Sequence, residues 1–398
     1  MKKAILFLAF ASMMATSAMA QKQLVEDAQN QIASIGTNAE AYNAVISKLT
    51  PAFTNAETQH EALTWMVAGK AAFHLFDKNF EQKVLGKESD EKGANLALLD
   101  GYGYFKKALP LDSVVETNKD GTPKIDKKTG KPKFKTKHSK EILETLVSHA
   151  NDFGSAGDYF REAQDYANGQ KAYGIFYEIS NSDYAKSKNN GAAMPDTVLG
   201  QIKFLEGFCA YFGKDYNDAY NLFTEAKKLH YTQNSINDFW NAAFAYKVQD
   251  LLDTKKYEDA IGTIDGALAD NPNDAFIVDM KGIIIEEQEK ENNGDIEKAL
   301  PFYMKATELD PKFPQGFLHV GRIYYLRAAK IIDNNPDLTD EQLAPKVDPI
   351  CRDAMTYLEK AYTLSKAAGQ TDPQAKDLLA RIYHQLKEDS KADALDKE

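Results

Sequence analysis

The side chains that could do chemistry are few and scattered. Seven histidines, at 60, 74, 138, 149, 230, 319 and 384, are spread along the 398 residues without the close spacing of a metal site. The chain contains no His-Glu-x-x-His, no Gly-x-Ser-x-Gly, no phosphate-cradling glycine loop and no Cys-x-x-Cys. Asn118-Lys119-Asp120-Gly121 lacks the acidic ladder of a calcium loop. The expectation is a protein without a catalytic residue, a metal or a cofactor. Of the two cysteines, Cys209 sits among aromatics (Phe208-Cys209-Ala210-Tyr211) and reads as a buried free thiol, since an unpaired cysteine behaves as a small hydrophobe.

Charge is the stronger signal. The net charge of −11 opposes nucleic-acid binding through bulk attraction. Residues 113–140 break that trend, with nine lysines against Glu116, Asp120 and Asp126, a net of +6. Asp120-Gly121 and Thr129-Gly130 are turn signals there, and Pro123 and Pro132 block helix, so the stretch reads as an insertion with a small hairpin. Lys124, Lys127, Lys128, Lys131, Lys133, Lys135 and Lys137 form a candidate basic docking loop. The competing reading is a solvated loop, because lysine also protects exposed edges from aggregation.

The first twenty residues have the three parts of an export signal: Lys2 and Lys3, an apolar run from Ala4 to Ala15, and the small-x-small site Ala18-Met19-Ala20. Cleavage there predicts a mature start at Gln21, with no cysteine to carry a lipid. No later stretch is long and apolar enough to span a membrane. The expectation is a protein of the periplasm or the cell exterior, not a lipoprotein. Its mature part is longer than one compact core normally takes, which favours several domains or a repeat array.

Periodicity points to repeats. Ala299, Tyr303 and Ala306 lie on one helical face closed by Pro311, and Ala260, Ile264, Ala267 and Pro272 repeat the pattern. Ala219, Phe223 and Ala226 do so again, with fainter copies at Gly101-Phe105-Ala108, Ala172-Phe176-Ile179 and Ala354-Leu358-Ala361. Each is preceded by another helix with a small residue at a fixed place, as in Phe317-Val320-Gly321-Tyr324 and Trp65-Ala68-Gly69-Ala72. Gly207, Phe244, Gly282 and Gly321 mark the same position at intervals of 37, 38 and 39 residues. This pairing resembles the tetratricopeptide (TPR) motif, whose period is about 34 residues, with the extra residues falling late in the first helix or its turn.

The resemblance implies an all-α, right-handed solenoid of antiparallel helix pairs. The expected organisation is a signal at 1–20, a helical hairpin cap at 21–56 and about six repeats over 57–390. Insertions are expected at 113–140 and at 326–350, where Pro336, Pro345 and Pro349 fall, followed by a charged tail at 391–398. Cys209 and Cys351 lie three repeats apart, too far for a bridge whose Cα atoms must come within about 7 Å.

In TPR arrays the concave surface is lined by first-helix positions 2, 5, 9, 12 and 13. In this register the candidate groove residues are Phe204, Phe208, Tyr211 and Phe212, then Leu318, Arg322 and Tyr325, then Met66, Lys70 and Phe73. Such an aromatic lining could grip a protein or peptide segment. The same side chains could instead pack between repeats, and the sequence leaves both open. The resemblance implies an interaction scaffold, and with the export signal the expectation is an exported one, in envelope or secretion-complex assembly. The rival is a glycan-binding protein or glycoside-processing enzyme, which would need carboxylates converging beside Phe204, Phe208 and Tyr211.

Overall fold

A computed structural model describes residues 21–397 except 128, 190 and 234. The expected signal at 1–20 and Lys128 of the basic stretch lie outside the described residues. The chain divides into two compact units, Met1–Trp240 and Asn241–Glu398. The first holds a helix over 21–31 (α1), α2 (Ala39–Thr54), α3 (Ala62–Val84), α4 (Glu91–Leu111), α5 (Ser139–Ser148) and α6 (Ala150–Glu162). It continues through α7 (Tyr166–Ser180), α8 (Asp183–Lys188), α9 (Asp196–Phe212) and α10 (Tyr216–Lys228) to the start of α11 (Ile236–Asp253). The second holds the rest of α11, then α12 (Tyr257–Asp270), α13 (Ala275–Glu291), α14 (Leu300–Leu309), α15 (Pro314–Asp333), α16 (Asp340–Ala367), α17 (Pro373–Gln385) and α18 (Asp389–Asp396).

Within each unit, sequential helices pack as hairpins, and side-chain size decides how close they come. A Cβ at Gly157 would lie 2.6 Å from the Tyr173 ring, one at Gly207 2.8 Å from Phe223, and one at Gly282 2.5 Å from Tyr303. Gly69 stands in the same way against Phe105, and Gly321 against Leu358. Each glycine of a first helix thus seats the large residue of the second. Ala156, Ala172, Ala219, Ala226 and Ala306 are fully buried beside them, so the backbones approach closely without a void.

A shared turn joins the two helices within each hairpin. Gln164, Lys214, Lys255 and Asn293 adopt left-handed φ of 59°, 68°, 56° and 51°. The next amide closes back on the helix each time, as in Asp165 N–H to Phe160 O (2.8 Å) and Asp215 N–H to Ala210 O (2.9 Å). Asp165 and Asp215 then cap the following helix by accepting from the amides of Asn168 and Asp218.

The 113–138 insertion is two tandem hairpins. β1 (Val114–Val115) pairs antiparallel with β2 (Phe134–Lys135), and bridges join Thr117 to Pro123 and Ile125 to Pro132. The two copies Asp120-Gly121-Thr122-Pro123-Lys124-Ile125 and Thr129-Gly130-Lys131-Pro132-Lys133-Phe134 each turn on a left-handed glycine, Gly121 at φ 82° and Gly130 at φ 68°. Asp112, almost fully buried, closes the base by accepting from the amides of Lys137, His138 and Ser139 and from the Ser139 hydroxyl. Burial opposes ionisation of Asp112, but the Ser139 hydroxyl and these amides outweigh it and hold its carboxyl below the usual range.

Two sequence expectations are corrected. The 326–350 stretch is not an insertion: α15 continues to Asp333, α16 begins at Asp340, and Pro345 and Pro349 lie inside α16. Buried Leu343, Val347 and Cys351, four residues apart, hold this proline-containing helix against its neighbours. The 391–398 tail is not solvated throughout, because α18 buries Ala392 and Leu395, and Lys391 Nζ reaches Glu359 Oε1 at 3.1 Å.

Both cysteines are free and buried. Burial pushes the Cys209 thiol up to about 12 and the Cys351 thiol up to about 11. Neither forms the reactive thiolate at neutral pH. A chromogenic disulfide reagent is expected to label neither cysteine in the native protein and both after unfolding. Rapid native labelling would contradict this packing.

Candidate partner-binding site

A cleft of about 360 Å³ opens in the first unit between the last turns of α3, the first turn of α4 and one face of α6. α3 contributes Phe76, Asn79, Phe80 and Lys83, spaced three and four apart and so on one helical face. α6 contributes Asp152, Ser155, Asp158, Tyr159 and Glu162, and α4 contributes Glu91, Ala94 and Asn95. Phe76 and Phe80 stack with ring centroids 6.1 Å apart, yet Phe80 is 51 % exposed. Val84 and Leu85, also exposed, extend this apolar edge past the end of α3.

The cleft is braced beneath. The buried Asn79 side chain donates to Thr37 O and Leu75 O, both at 3.0 Å, and accepts from the Asp90 amide at 2.8 Å. One amide thus ties the α1–α2 connection, α3 and the start of α4 together. His149 bridges the other wall, with Nδ1 2.8 Å from Asp152 Oδ2 and Nε2 3.7 Å from Asp77 Oδ1, its ring against Phe73 and Phe76. Burial raises the Asp77 carboxyl above its ordinary range, against the pull of His149. Around the rim, Lys83 is held by Glu91 (2.7 Å) and Arg161 by Asp158 (3.2 Å). Asp152 and Glu162 add to that set, so the carboxylates lining the cleft outnumber its bases and the cleft is acidic.

The residues expected to line a groove divide. Phe204, Met66, Phe73 and Leu318 are buried, which corrects their assignment to a free surface. Phe204 packs on Phe223 and Tyr231, and Phe73 stacks on Phe105. Phe208, Tyr211 and Phe212 do come together, each within 6.3 Å of the Phe239 ring, but only Phe212 is exposed, stacked on Tyr166. Lys70 pairs with Glu141, and Tyr325 is half-buried. On α9, Lys203 Nζ holds Glu206 at 3.0 Å and Glu225 at 3.2 Å, so these carboxylates are consumed as ion-pair partners.

The basic stretch also divides. Lys124, Lys131, Lys133 and Lys135 are exposed along the paired hairpin arms, with Lys124 Nζ 3.1 Å from Glu116 Oε2. Lys127 and Lys137 are exposed but do not join that row, which corrects their assignment to one common loop surface. Lys127 sits in the turn of the second hairpin, past the Ile125–Pro132 bridge, where Asp126 accepts from the amides of Thr129 and Gly130. No strand pairing sets its side chain on the face of the other lysines. Lys137 lies at the opposite end, its amide clamped by Asp112.

In the second unit Arg322 is committed to a buried ion pair. It grips Glu286, 1 % exposed, through two bonds of 2.6 Å, while Lys290 Nζ and the Tyr303 hydroxyl reach the same carboxylate at 2.8 Å. Burial would raise the Glu286 carboxyl, but Arg322, Lys290 and Tyr303 outweigh it and hold it down to about 2. Beside it, buried Asp279 meets His319 Nδ1 at 2.9 Å.

With glycine seating an aromatic or aliphatic side chain in hairpin after hairpin, the architecture is settled. The chain is built of TPR-like helical hairpins. No protein-family model matches the sequence, and no curated protein matches it. Similar solved structures include a TPR repeats protein of Bacteroides fragilis, at 22 % identity over 59 % of this chain and 98 % of that one, TM-score 0.32. They also include MamA of Desulfovibrio magneticus RS-1, at 17 % identity over 55 % and 96 %, TM-score 0.29. YrrB, described as a TPR protein with an unusual peptide-binding site, matches at 14 % over 57 % and 92 %, TM-score 0.29.

The TPR-like register does not mark the cleft in the sequence. α3 runs 23 residues, well past its marker Gly69, so Phe76 and Phe80 lie beyond the positions that the motif assigns to a groove. The signal available was the pair Phe76-x-x-x-Phe80, followed by apolar Val84 and Leu85 immediately before a break in the helix.

Proposed function

We propose that this TPR-like chain is an exported interaction scaffold that grips a protein segment in the α3–α4–α6 cleft. The observation that carries the reading is Phe80, half exposed beside Phe76 and Tyr159 and ringed by Glu91, Asp152, Asp158 and Glu162. An exposed aromatic braced by a rigid amide network is a preformed anchor point. The acidic rim selects a segment that carries lysine or arginine beside an apolar side chain. Export rests on Lys2, Lys3, the apolar run and Ala18-Met19-Ala20, and work in an envelope or secretion complex follows from that address.

Fluorescence anisotropy with a labelled peptide of alternating lysine and phenylalanine tests the cleft. Binding is expected for that peptide and not for its glutamate counterpart. Phe80→Ala with Tyr159→Ala should weaken binding by roughly tenfold or more, as loss of a hot-spot anchor costs ~2 kcal/mol and ~1.4 kcal/mol is tenfold, with helicity unchanged. Equal binding of both peptides, or no effect of the double variant, contradicts the assignment.

A further inference from the structure

The tandem-hairpin insertion carries the chemistry that the cleft selects. Cross-strand partners share a face, and so do residues two apart along a strand. Val115 opposite Phe134, Thr117 opposite Pro123 and Ile125 opposite Pro132 therefore lie on one face, and Lys124, Lys131, Lys133 and Lys135 on the other. Phe134 and Ile125 are 56 % and 51 % exposed. Large apolar side chains left in water beside a dense cationic row are the mark of a docking surface. The stretch has a net charge of +6 in a chain of net −11, so the acidic remainder of this same protein, the cleft rim included, is an electrostatic complement to it.

The insertion cannot fill the cleft of its own molecule. It leaves the C-terminal end of α4 at Asp112, whereas the cleft takes Glu91, Ala94 and Asn95 at the N-terminal end. The 21 residues of α4 separate the two by about 30 Å at 1.5 Å per residue. A hairpin arm of about five residues reaches less than 20 Å, and the Asp112 clamp fixes its base.

We propose that the occupant of the cleft is the lysine-rich hairpin arm over residues 131–135 of a second copy of this chain. Phe134 lodges against Phe76, Phe80 and Tyr159, and the long side chains of Lys133 and Lys135, on the arm's other face, reach round its edge to the carboxylates of the rim. The inference rests on the cleft reading above and names its partner. Arm and cleft are different patches of one molecule, so the contact is head-to-tail and builds chains or closed rings, not an isolated two-fold dimer.

Sedimentation velocity of residues 21–398 across a hundredfold range of concentration tests this at low salt and at half-molar salt. The wild type is expected to associate at low salt and to dissociate when salt screens the contact. Lys133→Glu with Phe134→Asp and Lys135→Glu should weaken association at least tenfold, and so should Phe80→Asp with Glu162→Lys. Each variant's thermal midpoint confirms that it folds. An equimolar mixture of the two is expected to stop at a one-to-one complex, because it offers one intact arm and one intact cleft. A wild type that stays monomeric, or a mixture that remains monomers while both variants are folded, overturns the proposal. A labelled peptide spanning residues 131–137 separates the two failures. If it does not bind while the unrelated lysine–phenylalanine peptide does, the cleft reading stands and self-docking falls. If neither binds, both fall.

Discussion

Glu286→Gln is expected to destabilise the C-terminal unit by about 3–5 kcal/mol, the cost of leaving a buried cation without its counterion. Glu286 is 1 % exposed and is the shared acceptor for Arg322, Lys290 and the Tyr303 hydroxyl. A neutral amide keeps the shape but removes the charge that offsets burial of Arg322. For a unit of ~150 residues the thermal midpoint should fall on the order of 10 °C. The pH dependence has a definite sign. The carboxyl is held down to about 2 from an ordinary value of 4.5. The contribution of Glu286 is therefore complete above pH 4.5 and disappears as pH falls through 2. The gap between wild type and variant, followed by thermal melts, should be constant near neutrality and shrink over that acid window. A gap that widened on acidification would contradict the ion-pair account.

Gly157→Ala is the second large effect. The added Cβ would meet three ring carbons of Tyr173 at 2.6, 2.7 and 2.8 Å. Tyr173 is almost fully buried, and its hydroxyl is tied to Asp158 Oδ1 at 2.7 Å and to Arg161 Nε at 3.3 Å, so the ring cannot swing aside. Overpacking of this kind costs about 1–3 kcal/mol. Gly103 in α4 and Gly262 and Gly266 in α12 have nothing within 4 Å of the same added atom. Alanine there should stabilise, by up to ~1 kcal/mol per site, because it only restricts the unfolded chain and favours helix. Urea unfolding distinguishes the two classes. Equal responses would mean that the close approach at Gly157 carries no load.

These contrasts explain what the sequence could reveal. The glycine markers and their partners were legible because close helix approach is a local steric requirement, and it recurs at Gly207, Gly282 and Gly321 with a steady period. The turns were not legible, since Gln164, Lys214, Lys255 and Asn293 hold a left-handed conformation with side chains that give no glycine signal. α16 was hidden by Pro345 and Pro349, which read as breakers, while Leu343, Val347 and Cys351 keep the helix in place through tertiary packing. At the candidate site, Phe208 and Tyr211 gather around Phe239, while Phe204, assigned to the same groove, turns inward against Phe223. In the basic stretch, composition could count lysines but not sort them, because strand pairing and not charge separates Lys133 and Lys135 from Lys127. The cleft was missed because the length of α3, and not its motif, places Phe80 in solvent.

The central claim is that a partner segment enters the cleft at Phe80. A photoactivatable phenylalanine analogue at position 80, installed in the full chain in its own cells, tests it most directly. The control carries the analogue at Tyr246, which is comparably exposed at 48 %. One discrete covalent adduct is predicted from position 80, formed through a lysine- or arginine-bearing segment and absent from the control. No adduct at position 80, or the same adducts from both positions, would contradict it.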